Sequence, residues 1–356
     1  MPASEAWAQF SAGLQAAGAR LGEIELDPVD YADGYRALMR ALNNRLSRLE
    51  TDSDIPELTG FNSWREKFFM DNPDYHYWIA DIRDDCSYRI SGNVGDSVYQ
   101  SITVYTGSGI ADAAAVSRQD SDTLGVSANG DYEVLLSREN SGPPPWLAVP
   151  EHASSVWVRH ILGDARKDDP GWCRIDQVST AKPPAKPRPD RFDRDLAGLG
   201  NFISSLPQAF EWAIREDLQS PNTVRYWNAM AGGAAFTEPG IRYLRGAWQL
   251  EPGEALVLEG SLPSCRHWNI VLYNRFLNSL DYRRHTVSYS PATASTADGR
   301  FRFVLADQDP AVDGYDWLDT QGRPFGLFVM RFLQPEAEPS LPTVACTTLG
   351  ALRAAH

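Results

Sequence analysis

Most of the signatures that would reveal a chain's chemistry are missing here. No Gly-x-Ser-x-Gly occurs, so a serine hydrolase of the nucleophile-elbow type is not indicated. Neither a Walker loop nor a GxGxxG is present, and nucleotide cofactors are not expected. The four cysteines (Cys86, Cys173, Cys265, Cys346) include no CxxC and stand far apart, which suits free thiols better than a disulfide frame or a zinc site. Cys265 lies two residues from His267, but no third group is in view to orient a cysteine nucleophile. The six histidines form no HxH or HxxxH, so no metal site and no cofactor are expected. Basic runs are short, Arg283-Arg284-His285 being typical, and the net charge is −14, which argues against nucleic acid and anionic membranes as partners. No apolar run is long enough to span a bilayer. The first residues lack the basic and apolar regions of a signal peptide, and the expected compartment is the cytoplasm.

What the chain does have is an internal repeat. Tyr88-Arg-Ile-Ser-Gly92 and Val98-Tyr-Gln-Ser-Ile-Thr-Val-Tyr105 are answered by Leu256-Val-Leu-Glu-Gly260 and Arg266-His-Trp-Asn-Ile-Val-Leu-Tyr273. Asn129-Gly-Asp-Tyr132 is echoed by Asp298-Gly-Arg-Phe301, Trp146-Leu147 by Trp317-Leu318, and Val156-Trp-Val-Arg159 by Phe328-Val-Met-Arg331. The offset is 168 between Gly92 and Gly260 and drifts to 172 between Arg159 and Arg331. Loops of unequal length in two copies of one unit give such a drift.

Helical spacing marks residues 4–50, with Trp7, Phe10 and Leu14 and then Tyr35, Leu38, Leu42 and Leu46 on buried stripes. Asp27-Pro28 is a helix start. Between about 86 and 162 the period becomes two, with Gly, Asn, Asp and Pro between short runs. A proline-rich linker at 176–190 leads into a second helical stretch (Phe192 to Ile214) and then strands from about 241 to 334. The expected fold is α+β and β-rich: two jelly-roll or β-sandwich-like antiparallel modules, each preceded by helices. The expected division is residues 1–175, a linker at 176–190, and residues 191–356.

Alternate strand residues face opposite ways. Val98, Gln100, Ile102 and Val104 therefore share a face with each other, and Arg266, Trp268, Ile270 and Leu272 do so in the second copy; both sets read as core. The opposite faces carry Tyr99, Ser101, Thr103 and Tyr105, and His267, Asn269, Val271 and Tyr273. Such a face either lines a pocket or is the solvated side of a sheet, and the solvated side is the default expectation. Asp71-Asn-Pro-Asp-Tyr-His-Tyr-Trp78 is the densest polar–aromatic cluster, with the groups of acid–base catalysis; a turn with Asp71 and Asp74 bonded to backbone is the competing reading. Arg159 and Arg331 are expected to pair carboxylates near the Trp-Leu loop, for instance Asp316 or Asp319, with an anion clamp as the alternative.

Asp71-Asn-Pro-Asp74 with Tyr77, Tyr88-Arg-Ile-Ser-Gly92, Glu251-Pro-Gly-Glu-Ala-Leu256, Trp268-Asn-Ile-Val-Leu-Tyr-Asn274, Asp309-Pro310 and Trp317-Leu-Asp-Thr-Gln-Gly322 together resemble the DUF1214/DUF1254 group, families of uncharacterised function. The resemblance implies a β-rich, jelly-roll-like architecture with helical additions and supplies no catalytic residues. Many members look exported, and this chain departs from them at its N-terminus.

The expected activity is that of a cofactor-independent hydrolase or lyase acting by acid–base chemistry on a small hydroxylated or hydrophobic molecule. The candidate catalytic groups are Asp71, Asp74, His76, His267 and Tyr273; the candidate ligand-binding groups are Tyr75, Tyr105, Trp268, Asn269 and Arg331. Binding of a carbohydrate or other small molecule without catalysis, and an interaction scaffold, are the alternatives. The expected partner is a small molecule, with self-association left open.

Overall fold

The computed structural model describes residues 3–107, 113–140, 145–178, 189–227, 238 and 240–355. The chain opens with two helices, α1 (Ala3–Gly22) and α2 (Pro28–Leu46). Asp27 caps α2: its carboxylate accepts from the backbone N–H of Val29 at 2.7 Å and of Asp30 at 2.9 Å, with Pro28 in the first turn. Nine strands follow: β1 (Thr59–Phe61), β2 (Tyr75–Asp81), β3 (Tyr88–Asn93), β4 (Tyr99–Thr106), β5 (Ala114–Asp120), β6 (Asp131–Ser137), β7 (Trp146–Ala148), β8 (Ala153–Ile161) and β9 (Trp172–Gln177). After α3 (Pro189–Gln219) come β10 (Thr223–Tyr226), β11 (Ile241–Gln249), β12 (Glu254–Ser261), β13 (His267–Tyr273), β14 (Ser288–Tyr289), β15 (Arg300–Ala306), β16 (Asp316–Asp319), β17 (Phe325–Leu333) and β18 (Thr343–Thr348), closed by α4 (Leu349–Ala354). Most of the proline-rich linker lies outside the described residues.

The duplication is complete at the level of topology. The first module has sheets ordered β1-β2-β8-β4-β5 and β7-β6-β3-β9; the second has β10-β11-β17-β13-β14 and β16-β15-β12-β18. Adding nine to each strand number of the first module gives the second. Each module is a β-sandwich. Ile102, Val104, Val156 and Val158 meet Ile90, Val134 and Leu136 in the first core; Trp268, Ile270, Phe328 and Met330 meet Leu256, Phe303 and Leu305 in the second. Pairing is antiparallel except for β6–β7 and β15–β16, whose short second strands run parallel at a sheet edge.

The repeated glycines have a packing reason. Gly92 lies opposite Tyr132 and Gly260 opposite Phe301 in the sheet register. In both copies the aromatic ring lies across the glycine. A Cβ on Gly92 would sit 2.4 Å from the Tyr132 hydroxyl and 2.6 Å from the Trp172 carbonyl oxygen; on Gly260 it would sit 2.7 Å from the Phe301 ring.

The helices precede the modules in sequence but do not divide between them in space. α1, α2 and α3 form one layer whose Leu21, Leu38, Leu199, Ile203 and Phe210 pack on Val271, Tyr273, Leu327 and Val329 of the second module. At the α1–α3 crossing the two backbones touch at Gly13 and Gly200, where a Cβ on Gly13 would fall 2.2 Å from the Gly200 carbonyl oxygen. The modules meet along a seam of Tyr75, Tyr99 and Ile161 against Ile241 and Leu333. As a result β4 and β13 are buried on both faces, and neither has the solvated side that antiparallel sheets commonly keep.

Gly92→Ala is expected to lower stability by about 1–3 kcal/mol through overpacking, because the Trp172 carbonyl is main chain and cannot swing aside. A urea midpoint equal to that of the parent protein would contradict this account of the repeated register.

Candidate functional site

Both modules place an arginine at the centre of the sheet that faces the seam. Arg159 on β8 stands between Tyr77 on β2 and Ser101 on β4; Arg331 on β17 stands between Tyr243 on β11 and Asn269 on β13. Both side chains are buried, so their guanidinium groups depend on partners inside the protein.

The first copy has such a partner. Glu238 accepts from Arg159 Nη1 at 3.1 Å, from Ser101 Oγ at 2.8 Å and from Arg118 Nε at 2.5 Å. Tyr105 accepts from Arg159 Nη2 at 2.9 Å. Glu238 belongs to the second module, three residues before β11. Its counterpart three residues before β2 is Asn72, and the carbonyls of both accept from the first strand residue at 3.2 Å. Asn72 crosses the seam in the other direction, where its Oδ1 accepts from Asn269 Nδ2 at 2.9 Å. The same Nδ2 donates to Asp74 Oδ2 at 2.7 Å. The interface is thus reciprocal in design and unequal in charge.

Arg331 has no carboxylate in contact among the described residues. Its Nη2 donates to the Met70 carbonyl at 3.2 Å, and its guanidinium lies 5.9 Å from the Tyr243 ring and 5.7 Å from the Tyr273 ring. The Asp316 and Asp319 pairing expected of Arg331 does not form: Asp316 accepts from the Ser295 backbone N–H at 2.8 Å, and Asp319 is bound by His285 at 2.7 Å. The reason is strand direction, since Arg331 turns to the seam and away from the sandwich.

Arg331 Nη1 is buried without a hydrogen-bond partner among the described residues, and so are five polar atoms on the facing strands and the adjoining turn: Asn72 Nδ2, Tyr75 Oη, His267 Nε2, Asn269 Oδ1 and Tyr273 Oη. The Tyr273 hydroxyl is close enough to Arg331 for the cation to influence it, yet it makes no hydrogen bond of proper geometry. Each such atom costs about 1–3 kcal/mol when nothing answers it, so the concentration marks a place with polar contacts still to be made beyond those of the described residues.

Burial sets the protonation of the cluster. It pushes the Asp74 carboxyl up to about 6, against the opposing pull of Asn269 and Arg331. It lowers the His267 imidazole to about 4, so this ring is neutral at pH 7. The phenols of Tyr75, Tyr77 and Tyr273 are driven above their usual range and Tyr243 to about 12, again by burial. Near pH 7 the cluster therefore offers one guanidinium, neutral phenols, a neutral imidazole and a carboxyl group that is mostly ionised, its midpoint being about 6.

The turn that carries Asn72 and Asp74 is strained. Phe69 and Met70 have φ of 41° and 61°, and the Met70 N–H donates at 2.7 Å to the carbonyl of Leu277, whose φ is 58°. Left-handed backbone at these bulky residues costs about 1 kcal/mol or more each. Asp71 secures the turn by accepting from the Ser279 N–H at 2.9 Å and its hydroxyl at 2.5 Å.

Of the residues expected from sequence, Asp74, Tyr75, His267, Asn269, Tyr273 and Arg331 are brought together, with Asp71 tying down the adjoining turn. Three are not in the cluster. His76 points into the first sandwich beside Trp78, 4.2 Å between ring centres, because it alternates with Tyr75 and Tyr77 along β2. Trp268 lies in the second sandwich core against Phe303. Tyr105 serves Arg159. His267 and His285 do not meet, since His285 is held by Asp319. Tyr77 and Tyr243 were missed although strand alternation could have found them; Glu238, in a segment without motif, gave no signal. Among the described residues no group of three or more His, Cys, Asp or Glu could hold a metal ion. All four cysteines are free thiols, and no helix among the described residues is long and apolar enough to cross a membrane.

Residues 249–337, which include β13, β17 and Arg331, match DUF1214, described as a protein family of unknown function. The whole chain is similar to an uncharacterized protein from Burkholderia cenocepacia whose crystal structure superposes with a TM-score of 0.89, at 26% identity and covering 98% of each chain. A protein from Vibrio parahaemolyticus shares the fold at a TM-score of 0.50 and 11% identity, over 96% of this chain and 100% of that one. No curated protein matches the chain.

Two stability measurements test the reading of the arginines. Arg159→Met should destabilise by about 2–4 kcal/mol, softened by the Arg118 that remains on Glu238, whereas Arg331→Met should be neutral or stabilising because no carboxylate is left behind. Equal losses in chemical denaturation would refute the asymmetry. For Asp74, whose folded pKa is raised, stability is fully present below the unfolded value near 4 and is lost as pH rises through about 6. Relative to the parent, Asp74→Asn should therefore gain about 2–3 kcal/mol between pH 4 and pH 8. A difference that does not change with pH would remove Asp74 as a titrating group.

Proposed function

We propose that this chain is an enzyme of the hydrolase or lyase type acting on a small hydroxylated molecule that bears a carboxylate, held at the seam by Arg331. The observation that carries the proposal is the buried guanidinium without a carboxylate, ringed by unpaired polar atoms. A ligand carboxylate would accept from Arg331 Nη1 and from the Tyr75 and Tyr273 hydroxyls, turning costly orphans into charge-assisted hydrogen bonds. A substrate hydroxyl would find Asn269 Oδ1 and His267 Nε2. Asp74 is the proton-transferring group: a carboxyl with a midpoint near 6 both takes and returns a proton close to neutral pH. If it acts as base, the rate rises with pH through about 6.

The second reading is binding at the same place without turnover. It is favoured by the way Asn269 already occupies Asp74 Oδ2 with a 2.7 Å hydrogen bond. An open sugar-stacking groove has less support, because the aromatic rings at the seam are largely enclosed.

A thermal-shift screen of hydroxycarboxylic acids, followed by turnover assays on those that shift, tests both. Arg331→Met should weaken binding by about tenfold or more, the value of a charge-assisted hydrogen bond in a buried place. Asp74→Asn should abolish turnover while binding is kept. Unchanged affinity in Arg331→Met would sink the site; undiminished turnover in Asp74→Asn would sink the proton-transfer role alone.

A further inference from the structure

On the far side of the segment 67–74 a cleft of about 820 Å³ opens between α2 and the loop at residues 274–287. In a chain of net charge −14, its walls carry seven cationic side chains and two carboxylates, Asp33 and Asp281. Asp33 is shared by Arg323 at 2.8 Å and Arg36 at 3.8 Å. Asp281 is shared by Arg283 at 3.1 Å and Arg284 at 3.9 Å. Arg65 has Glu66 at 3.7 Å, and the local balance stays positive with all three carboxylates counted against the seven cations.

Two cations in the wall have no carboxylate in contact among the described residues. Lys67, only 2% exposed, donates to the carbonyls of Ser279 at 2.6 Å and Leu280 at 2.8 Å and lies 4.6 Å from the Tyr282 ring. Arg40 donates to the Asn278 side-chain oxygen at 3.2 Å. Asp71, which acts on both through space, is already occupied by Ser279. Burial lowers the pKa of Lys67 to about 8, so it remains mostly protonated at pH 7. A buried ammonium held by two carbonyls and an aromatic face, with no carboxylate in contact, is an expensive arrangement unless an anion completes it. Gln321 adds a donor: its Nε2, in the same wall, is buried and has no partner among the described residues.

We propose that this cleft binds the phosphate group of a small phosphorylated molecule. Several forked guanidinium groups converging with one lysine suit the charge and the three terminal oxygens of a phosphate better than the single planar face of a carboxylate. The volume is within the range of small-molecule sites, and Trp64, whose ring has Arg283 4.1 Å above it, gives the remainder of the ligand an aromatic wall. This cleft is separate from the Arg331 cluster, although the turn bearing Asp71 and Asp74 joins the two.

Isothermal titration of the full chain with pyrophosphate, at about 0.15 M salt where long-range surface charge is screened, tests the proposal. Saturable binding is expected, weakened about tenfold or more by Lys67→Met and by Arg40→Gln. Arg283→Gln, at the more exposed rim, gives the same readout should Lys67→Met fail to fold. Arg174→Gln, an exposed arginine on β9 of the first module, and Arg331→Met should both leave the affinity unchanged. The site is overturned by absence of saturation, by equal weakening in Arg174→Gln, or by a loss in Arg331→Met as large as that in Arg40→Gln. Citrate binding as tightly as pyrophosphate would overturn the choice of phosphate.

Discussion

A guanidinium at the middle of a central strand cannot reach water, because neighbours flank it on both sides and a second layer covers it. This molecule places one in each module, at Arg159 and Arg331, and the rest of the interface follows from how each is answered. Glu238 crosses from the second module to neutralise the first arginine. Asn72 and Asp74 cross from the first module but are taken up by Asn269, and Arg331 keeps a carbonyl and aromatic faces. The crossing residues lock the two sandwiches together. Because their charges differ, equivalence of fold does not become equivalence of chemistry.

The segment from Lys67 to Asp74 is the mechanical link. At one end Lys67 is held by the loop after β13; at the other, Asp74 meets β13 itself. Between them the left-handed Phe69 and Met70 aim the Met70 carbonyl at Arg331 and the backbone N–H at Leu277. The three helices, all on the second module, press Phe68 and Met70 against that module's sheet and keep the turn where it is.

Much of this arrangement was legible in the sequence. The repeat predicted two like modules, and alternation along β4 and β13 separated core faces from polar ones, grouping His267, Asn269 and Tyr273 as found. The same alternation places His76 and Trp268 out of phase with the residues of the seam. A polar face on an antiparallel sheet is wet by default, but here the partner module and the helix layer cover it. The expected pairing of Arg331 with Asp316 or Asp319 failed for a related reason, because closeness along a sandwich says nothing about which face an arginine takes.

Periodicity and duplication are local properties, written over a few residues or copied as a block, so the strands, their faces and the two-module plan can be read without any knowledge of tertiary contacts. The site depends on meetings between distant residues: Ser101 with Glu238, 137 positions apart, and Asn269 with Asn72, 197 apart. No short-range pattern encodes those meetings. Only the packing of one module on the other decided which arginine was neutralised, which polar atoms were left without partners, and where seven cationic side chains would line a single cleft of an otherwise acidic protein.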